Sequence, residues 1–96
     1  MNSVMATRIH LSGHLKPFSN GEVEVSLPGE FATVGDALSS LWQRHRALRD
    51  RILNEQGEIR QHVNVFVGSE DIKRKKGLAT PIRSDDIHIF NAVSGG

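Results

Sequence analysis

The sequence predicts an α+β fold in two layers, one sheet with a helix packed on one face. Three observations carry that prediction. Up to position 27, apolar residues recur at every second position, the period of a half-buried strand. Over 34–42 the period changes. Val34, Ala37, Leu38, Leu41 and Trp42 fall at i, i+3, i+4, i+7 and i+8, which is a single helical stripe. From 62 onward the period of two returns.

Each element follows from its residues. Over 7–15, Ile9, Leu11 and Leu15 are odd, while Arg8, His10, Ser12 and His14 are even, so this run predicts the first strand. Lys16-Pro17-Phe18-Ser19-Asn20-Gly21 carries turn chemistry, with Asn-Gly a strong hairpin signal. Over 22–27, Val23, Val25 and Leu27 alternate with Glu22, Glu24 and Ser26. The two runs predict an antiparallel hairpin that ends at Pro28-Gly29. A helix is expected over 34–45, with Thr33 as N-cap and Asp36 three residues on as a shorter version of the capping-box acid. Its stripe needs a cover, and the apolar face of the hairpin supplies one. Trp42 is expected to be the largest single anchor of that contact. Residues 46–54 are charged around Leu48, Ile52 and Leu53, which fits a second helical piece or a long connection. After a turn at Gln56-Gly57-Glu58, residues 62–67 predict the third strand, with Val63, Val65 and Val67 on one face. Ile72 is expected to begin a short edge segment. Leu78, Pro81 and Ile82 pin an irregular loop, Ser84-Asp85-Asp86 turns the chain, and 87–90 is the last strand.

Composition narrows the function. A length of 96 residues means one domain, 1–96, with a modest core. There is no cysteine, hence no disulfide, no thiol chemistry and no thiolate zinc site. The net charge of +1 points to no polyanion. No apolar run reaches the length of a membrane span, and residues 1–7 lack a signal-peptide core. The expected address is the cytoplasm, and residues 1–5 are expected to fray.

Past the last strand come Asn91-Ala92-Val93-Ser94-Gly95-Gly96. A fraying terminus is one reading of this segment. The other makes the carboxylate of Gly96 a substrate. A peptide threads a narrow enzyme channel most readily when it has no Cβ to collide with the walls, and glycine also adopts backbone angles closed to other residues. Extended, a flexible tail over 91–96 reaches roughly 20 Å, at about 3.3–3.6 Å per residue. That is far enough to enter an active site while the globular body docks outside.

The order of elements, the size and the terminal Gly-Gly together resemble the ubiquitin-like β-grasp sulfur carriers of the MoaD/ThiS family. The resemblance is most specific from Val63 onward. It rests on the strand Val63-Asn64-Val65-Phe66-Val67, an acidic turn with Ile72, the loop Gly77-Leu78-Ala79-Thr80-Pro81, the turn Ser84-Asp85-Asp86, and Ala92-Val93-Ser94-Gly95-Gly96. This stretch looks especially like the subgroup of carriers that serve cysteine biosynthesis. The resemblance implies a mixed β-grasp sheet with one main helix. It also implies a carrier rather than an enzyme, with no bound cofactor. An adenylyltransferase of the ubiquitin-activating kind would spend ATP to adenylate Gly96. Sulfur would then be carried covalently on Gly96 as a thiocarboxylate, for a downstream synthase of cysteine, molybdopterin or a related metabolite. This chain has no GxxxxGK phosphate loop of its own, which fits ATP belonging to the partner. A ubiquitin-like modifier joined through Gly96 to lysines uses the same adenylated tail and stays open. So does a plain interaction domain with an incidental tail.

Other candidates are weaker. His10 and His14 share a face on a regular strand, but no further ligand accompanies them, so no metal is expected. The run Lys73-Arg74-Lys75-Lys76 reads as a solvated loop or as steering toward an acidic surface. Without aromatic interleaving it does not point to nucleic acid. Phe66 and Phe90 stand at the opposite parity to Val65, Val67, Ile87 and Ile89. Either both lie on the open face of the sheet, as exposed aromatic partner sites do, or the loop at 68–82 covers one of them. The candidate site residues are therefore Gly96 and Gly95 for the chemistry, and Phe66, Phe90, Val93 and Ser94 for the partner. The free protein is expected to be a monomer, with no nucleic acid and no membrane among its partners.

Overall fold

A computed structural model describes residues 6–91 of the chain. Five strands form one mixed sheet: β1 (Ala6–Leu11), β2 (Glu24–Pro28), β3 (Val63–Val67), β4 (Glu70–Asp71) and β5 (Asp86–Asn91). Their order across the sheet is β2-β1-β5-β3-β4. β1 pairs antiparallel with β2 and parallel with β5, and β3 pairs antiparallel with both β5 and β4. Two helices, α1 (Val34–Arg44) and α2 (Arg46–Ile52), link the hairpin to β3. The expected α+β architecture with a helix on one face is what the chain adopts.

The core is the inner face of the sheet against the helix stripe. Ile9, Val25, Leu27, Val63, Val65, Ile87 and Ile89 are buried from the strands, and Val34, Ala37, Leu38 and Leu41 from α1. Thr33 caps α1 as its sequence requires, its Oγ1 accepting from the Asp36 N–H at 3.2 Å. The segment after α1 is helical, and it buries Leu48 and Ile52. His45 sits at the junction of the two helices. Its buried ring lies 3.1 Å from the Glu22 carboxylate, which ties the junction to the approach of β2. Arg51 lies over the Phe18 ring at 4.2 Å and fastens α2 to the β1–β2 connection. Gly35 lets the loop come close. A Cβ there would meet the Leu78 carbonyl oxygen at 3.1 Å.

Six expectations need correction. β1 stops at Leu11, and Gly13–Phe18 coils into a 3-10 turn that still buries Leu15. Pro17 explains this, because it has no N–H to give a strand ladder and its φ suits a tight turn. Asn20 and Gly21 do take positive φ, 53° and 82°. They close that turn, with the Gly21 N–H donating to the Lys16 carbonyl at 2.9 Å, rather than joining the strands directly. Val23 falls beyond the last pair, His10 with Glu24, and is exposed. Trp42 is only partly buried. At about 100° per residue it stands roughly 80° round the helix from Val34, at the edge of the stripe rather than its centre. The edge strand is Glu70–Asp71, and Ile72 begins a 3-10 turn instead. The Asp71 carboxylate turns the chain there by accepting from the Lys73 N–H at 3.0 Å. Finally, Asn91 pairs with Val63 inside β5, so it is strand rather than tail. The expected fraying of 1–5 and the tail at 92–96 lie outside the described residues.

Candidate functional site

The strands leave one face of the sheet without a helix. Register decides which side chains share it. Glu24 pairs with His10, His10 with His88, His88 with Phe66, and Phe66 with Asp71. Paired residues point to the same side, so one row of side chains crosses all five strands. Its middle is aromatic. The His10 and His88 rings stack at 4.5 Å between centroids, 14° from parallel. Phe66 and Phe90 stack at 5.5 Å and 27°. Phe66 is half-buried and Phe90 is 38% exposed. The 68–82 segment therefore covers neither ring fully, and both phenylalanines lie on the open face, as their parity requires.

Asp86 organises the end of this face away from Phe90. Its carboxylate takes two hydrogen bonds from the Arg8 guanidinium, at 2.9 and 3.0 Å. A third comes from His10 Nε2 at 2.8 Å. The Arg8 bonds first, and the His10 bond second, hold the Asp86 carboxyl well below the usual carboxylate range. The same pairing raises Arg8. The other ring nitrogen of His10 lies 3.5 Å from Glu24 Oε1. This network joins β1 to β5, residues 76 and 78 positions apart, so no local motif announces it. The available signal is parity: Arg8, His10, Asp86 and His88 are all even, and a parallel β1–β5 pair brings them together.

Other candidates separate. His14 lies in the 3-10 turn, not on β1, so it does not share a strand face with His10. Among the described residues no group of three or more His, Asp or Glu is placed to hold a metal ion. Lys73 is a structural cation, its ammonium donating to the carbonyls of Arg60 and Gln61 at 3.2 and 2.8 Å. Lys75 lies 3.5 Å from Glu70. No described helix is long and apolar enough to cross a membrane. Of the expected site residues, Val93, Ser94, Gly95 and Gly96 lie outside the described residues. β5 is the strand that precedes them in the chain, with Phe90 next to its last residue, Asn91.

This strand order, with a helix on one face, an aromatic patch on the other and the central strand leading to Gly-Gly, defines the ubiquitin-like β-grasp class. Comparison with known proteins narrows it. Residues 9–96 match the ThiS family, and the chain belongs to that family. It is 33% identical over 85 residues to the sulfur carrier protein CysO of Mycobacterium tuberculosis, covering 85% of this chain and 89% of that one. It is 38% identical over 74 residues to small archaeal modifier protein 1 of Haloferax volcanii, covering 77% and 80%. Its fold superposes on an Amycolatopsis orientalis BexX/CysO complex structure with a TM-score of 0.82 at 26% identity, covering 95% of this chain and 100% of that one. The chain is thus a small carrier-type protein rather than an enzyme, and its resemblance to the cysteine-biosynthesis carriers holds.

Proposed function

We propose that this protein carries sulfur on the carboxylate of Gly96, delivered by β5 to the active site of an adenylating enzyme. One observation supports this most. The strand that runs into 92–96 is the central strand of the sheet, and it carries Phe90 on the open face. A partner that grips the aromatic patch therefore stands over the root of the tail.

The chemistry follows from the weakness of a carboxylate as an acyl electrophile. The partner directs a Gly96 carboxylate oxygen onto the α-phosphorus of ATP. The P–O bond to pyrophosphate breaks, and the mixed anhydride keeps AMP as a good leaving group. Hydrosulfide, or a donor at the same oxidation level, then forms a C–S bond as the C–O bond to AMP breaks. A proton is released and a thiocarboxylate remains. A downstream synthase takes that sulfur into cysteine, molybdopterin or a related metabolite, in the cytoplasm. The BexX/CysO complex, a structure of a carrier with a partner, supports docking of this kind. Phe66, Phe90, Val93 and Ser94 make the partner contact, Gly95 passes the channel, and Gly96 reacts. The archaeal modifier relative favours a second reading, in which the same adenylate ends in an isopeptide bond to a lysine. The fate of Gly96 separates the two.

The test is ATP–pyrophosphate exchange with the cognate adenylating enzyme, followed by intact-protein mass. A C-terminal tag turns the reactive carboxylate into an amide and should abolish exchange. Gly95→Val should fail for a steric reason, with stability unchanged within about 0.5 kcal/mol. A tagged chain that still supports exchange, with the tag shown by mass to be intact, would sink the proposal. With a sulfur donor present, the untagged chain should gain the mass of sulfur exchanged for oxygen at Gly96.

A further inference from the structure

The open face carries charge as well as aromatic rings. Its described strand positions hold one cation, Arg8, against three carboxylates, Glu24, Asp71 and Asp86, on a chain whose net charge is +1. Arg8 is already committed to Asp86 by a two-point contact. Asp71 gives one oxygen to the Lys73 N–H. Glu24 is the least engaged of the three. Its side chain is 57% exposed, and it has a single 3.5 Å contact, to His10. Carboxylates thus flank the aromatic row at both edges of the sheet, and no lysine or arginine other than Arg8 stands among the described strand positions of that face.

We propose that the surface received by this face is an apolar patch rimmed by arginine or lysine, on the enzyme that takes the Gly96 tail, with Glu24 and the His10–His88 stack setting its specificity. The inference rests on the carrier reading and names the chemistry of its partner. Complementary rim charge steers the encounter, and like charge opposite Glu24 and Asp71 rejects an acidic surface. The phenylalanine pair beside that stack adds an attraction of its own, because a guanidinium laid on the exposed Phe90 face is held by the ring quadrupole. The occupant is the tail-binding enzyme rather than a second copy, because two such faces meeting would oppose carboxylate to carboxylate. The patch is also continuous with the strand that delivers the tail.

The experiment is steady-state pyrophosphate exchange by the purified adenylating enzyme of the same source, with the full chain as varied substrate. It is run at low salt, about 50 mM, and at high salt, about 500 mM, which shortens the screening length severalfold. Glu24→Lys should raise KM about 3- to 10-fold at low salt with kcat unchanged, and the gap should narrow at high salt. Glu24→Gln should give a smaller rise. His88→Ala should raise KM at both salts. Arg46→Glu, on the helix side, should leave KM unmoved. Thermal melts matching the parent certify each fold. If the parent chain is exchanged normally but Glu24→Lys leaves KM unchanged or lowers it, this inference falls while the carrier reading stands. If the parent chain is not adenylated by an enzyme shown to be competent, the carrier reading falls and takes this inference with it.

Discussion

The two faces of the sheet are built from alternate residues of the same strands and differ in chemistry. On β5, Ile87 and Ile89 are fully buried, while Asp86, His88 and Phe90 face outward. On β3, Val63, Val65 and Val67 are inside and Phe66 is outside. The inner face is mainly aliphatic, with Thr7 buried in it and Glu70 and Asn91 at its margins, and the helices close over it. The outer face keeps a histidine pair, a phenylalanine pair and carboxylates in reach of solvent. A period of two lets one short strand supply a buried core and, on the proposed reading, a docking face at once, with one residue's slip in register enough to exchange them.

That division can be broken by experiment. The largest effect is expected on the inner face. Ile89→Ala, next to Phe90 in the chain, should cost about 2–5 kcal/mol in urea unfolding. A cost like that of a surface change would mean the two faces have been confused. Trp42→Ala should cost less than a fully buried tryptophan, roughly 1.5–2.5 kcal/mol, because the ring stands at the edge of the helix stripe. A loss as large as that of Ile89→Ala would make it a core anchor after all. Phe66→Ala and Phe90→Ala should cost only about 0.5–1.5 kcal/mol, the worth of a stacked pair, while weakening exchange with the adenylating enzyme. Equal losses of stability on both faces would erase the contrast.

The smallest effect sharpens the comparison within the outer face. Asp86 is held below the usual carboxylate range in the folded state by Arg8 and His10. Its contribution is therefore present above the ordinary carboxylate pKa, at neutral pH, and is lost as pH falls through the lower folded value. Asp86→Asn should lower the melting midpoint at pH 7 by about 4 °C or less. The gap from the parent should shrink as the pH is taken below about 4. A gap that widened in acid would contradict the network.

Most of this fold was legible in the sequence because local periodicity and capping act over a few residues. Val34, Ala37, Leu38 and Leu41 buried as their spacing requires, and Thr33 capped as its chemistry requires. Two of the failures occur where parity continues without a strand. Leu15 keeps the odd register of Ile9 and Leu11, but Pro17 coils its segment, and the core is reached from a 3-10 turn. Val23 keeps the register of Val25 and is left outside. Of the site, the phenylalanine pair was legible by parity alone. The Arg8–His10–Asp86 network and the histidine stack were not, because they depend on pairing β1 with β5 across most of the chain.

The central position of β5 bears on how the tail can be handled. Hydrogen bonds hold this strand on both sides, to β1 along Arg8–Leu11 and to β3 along Val63–Val67. An enzyme that draws 92–96 into a channel pulls along the axis of β5, across those bonds. In that direction the bonds on both flanks share the load and would have to shear together, whereas an edge strand would have the bonds of one flank alone to resist the same pull. On the proposed carrier reading, the domain would thus serve as a mechanical anchor for the segment that follows β5, with two flanks of bonds resisting a pull on the terminal glycines.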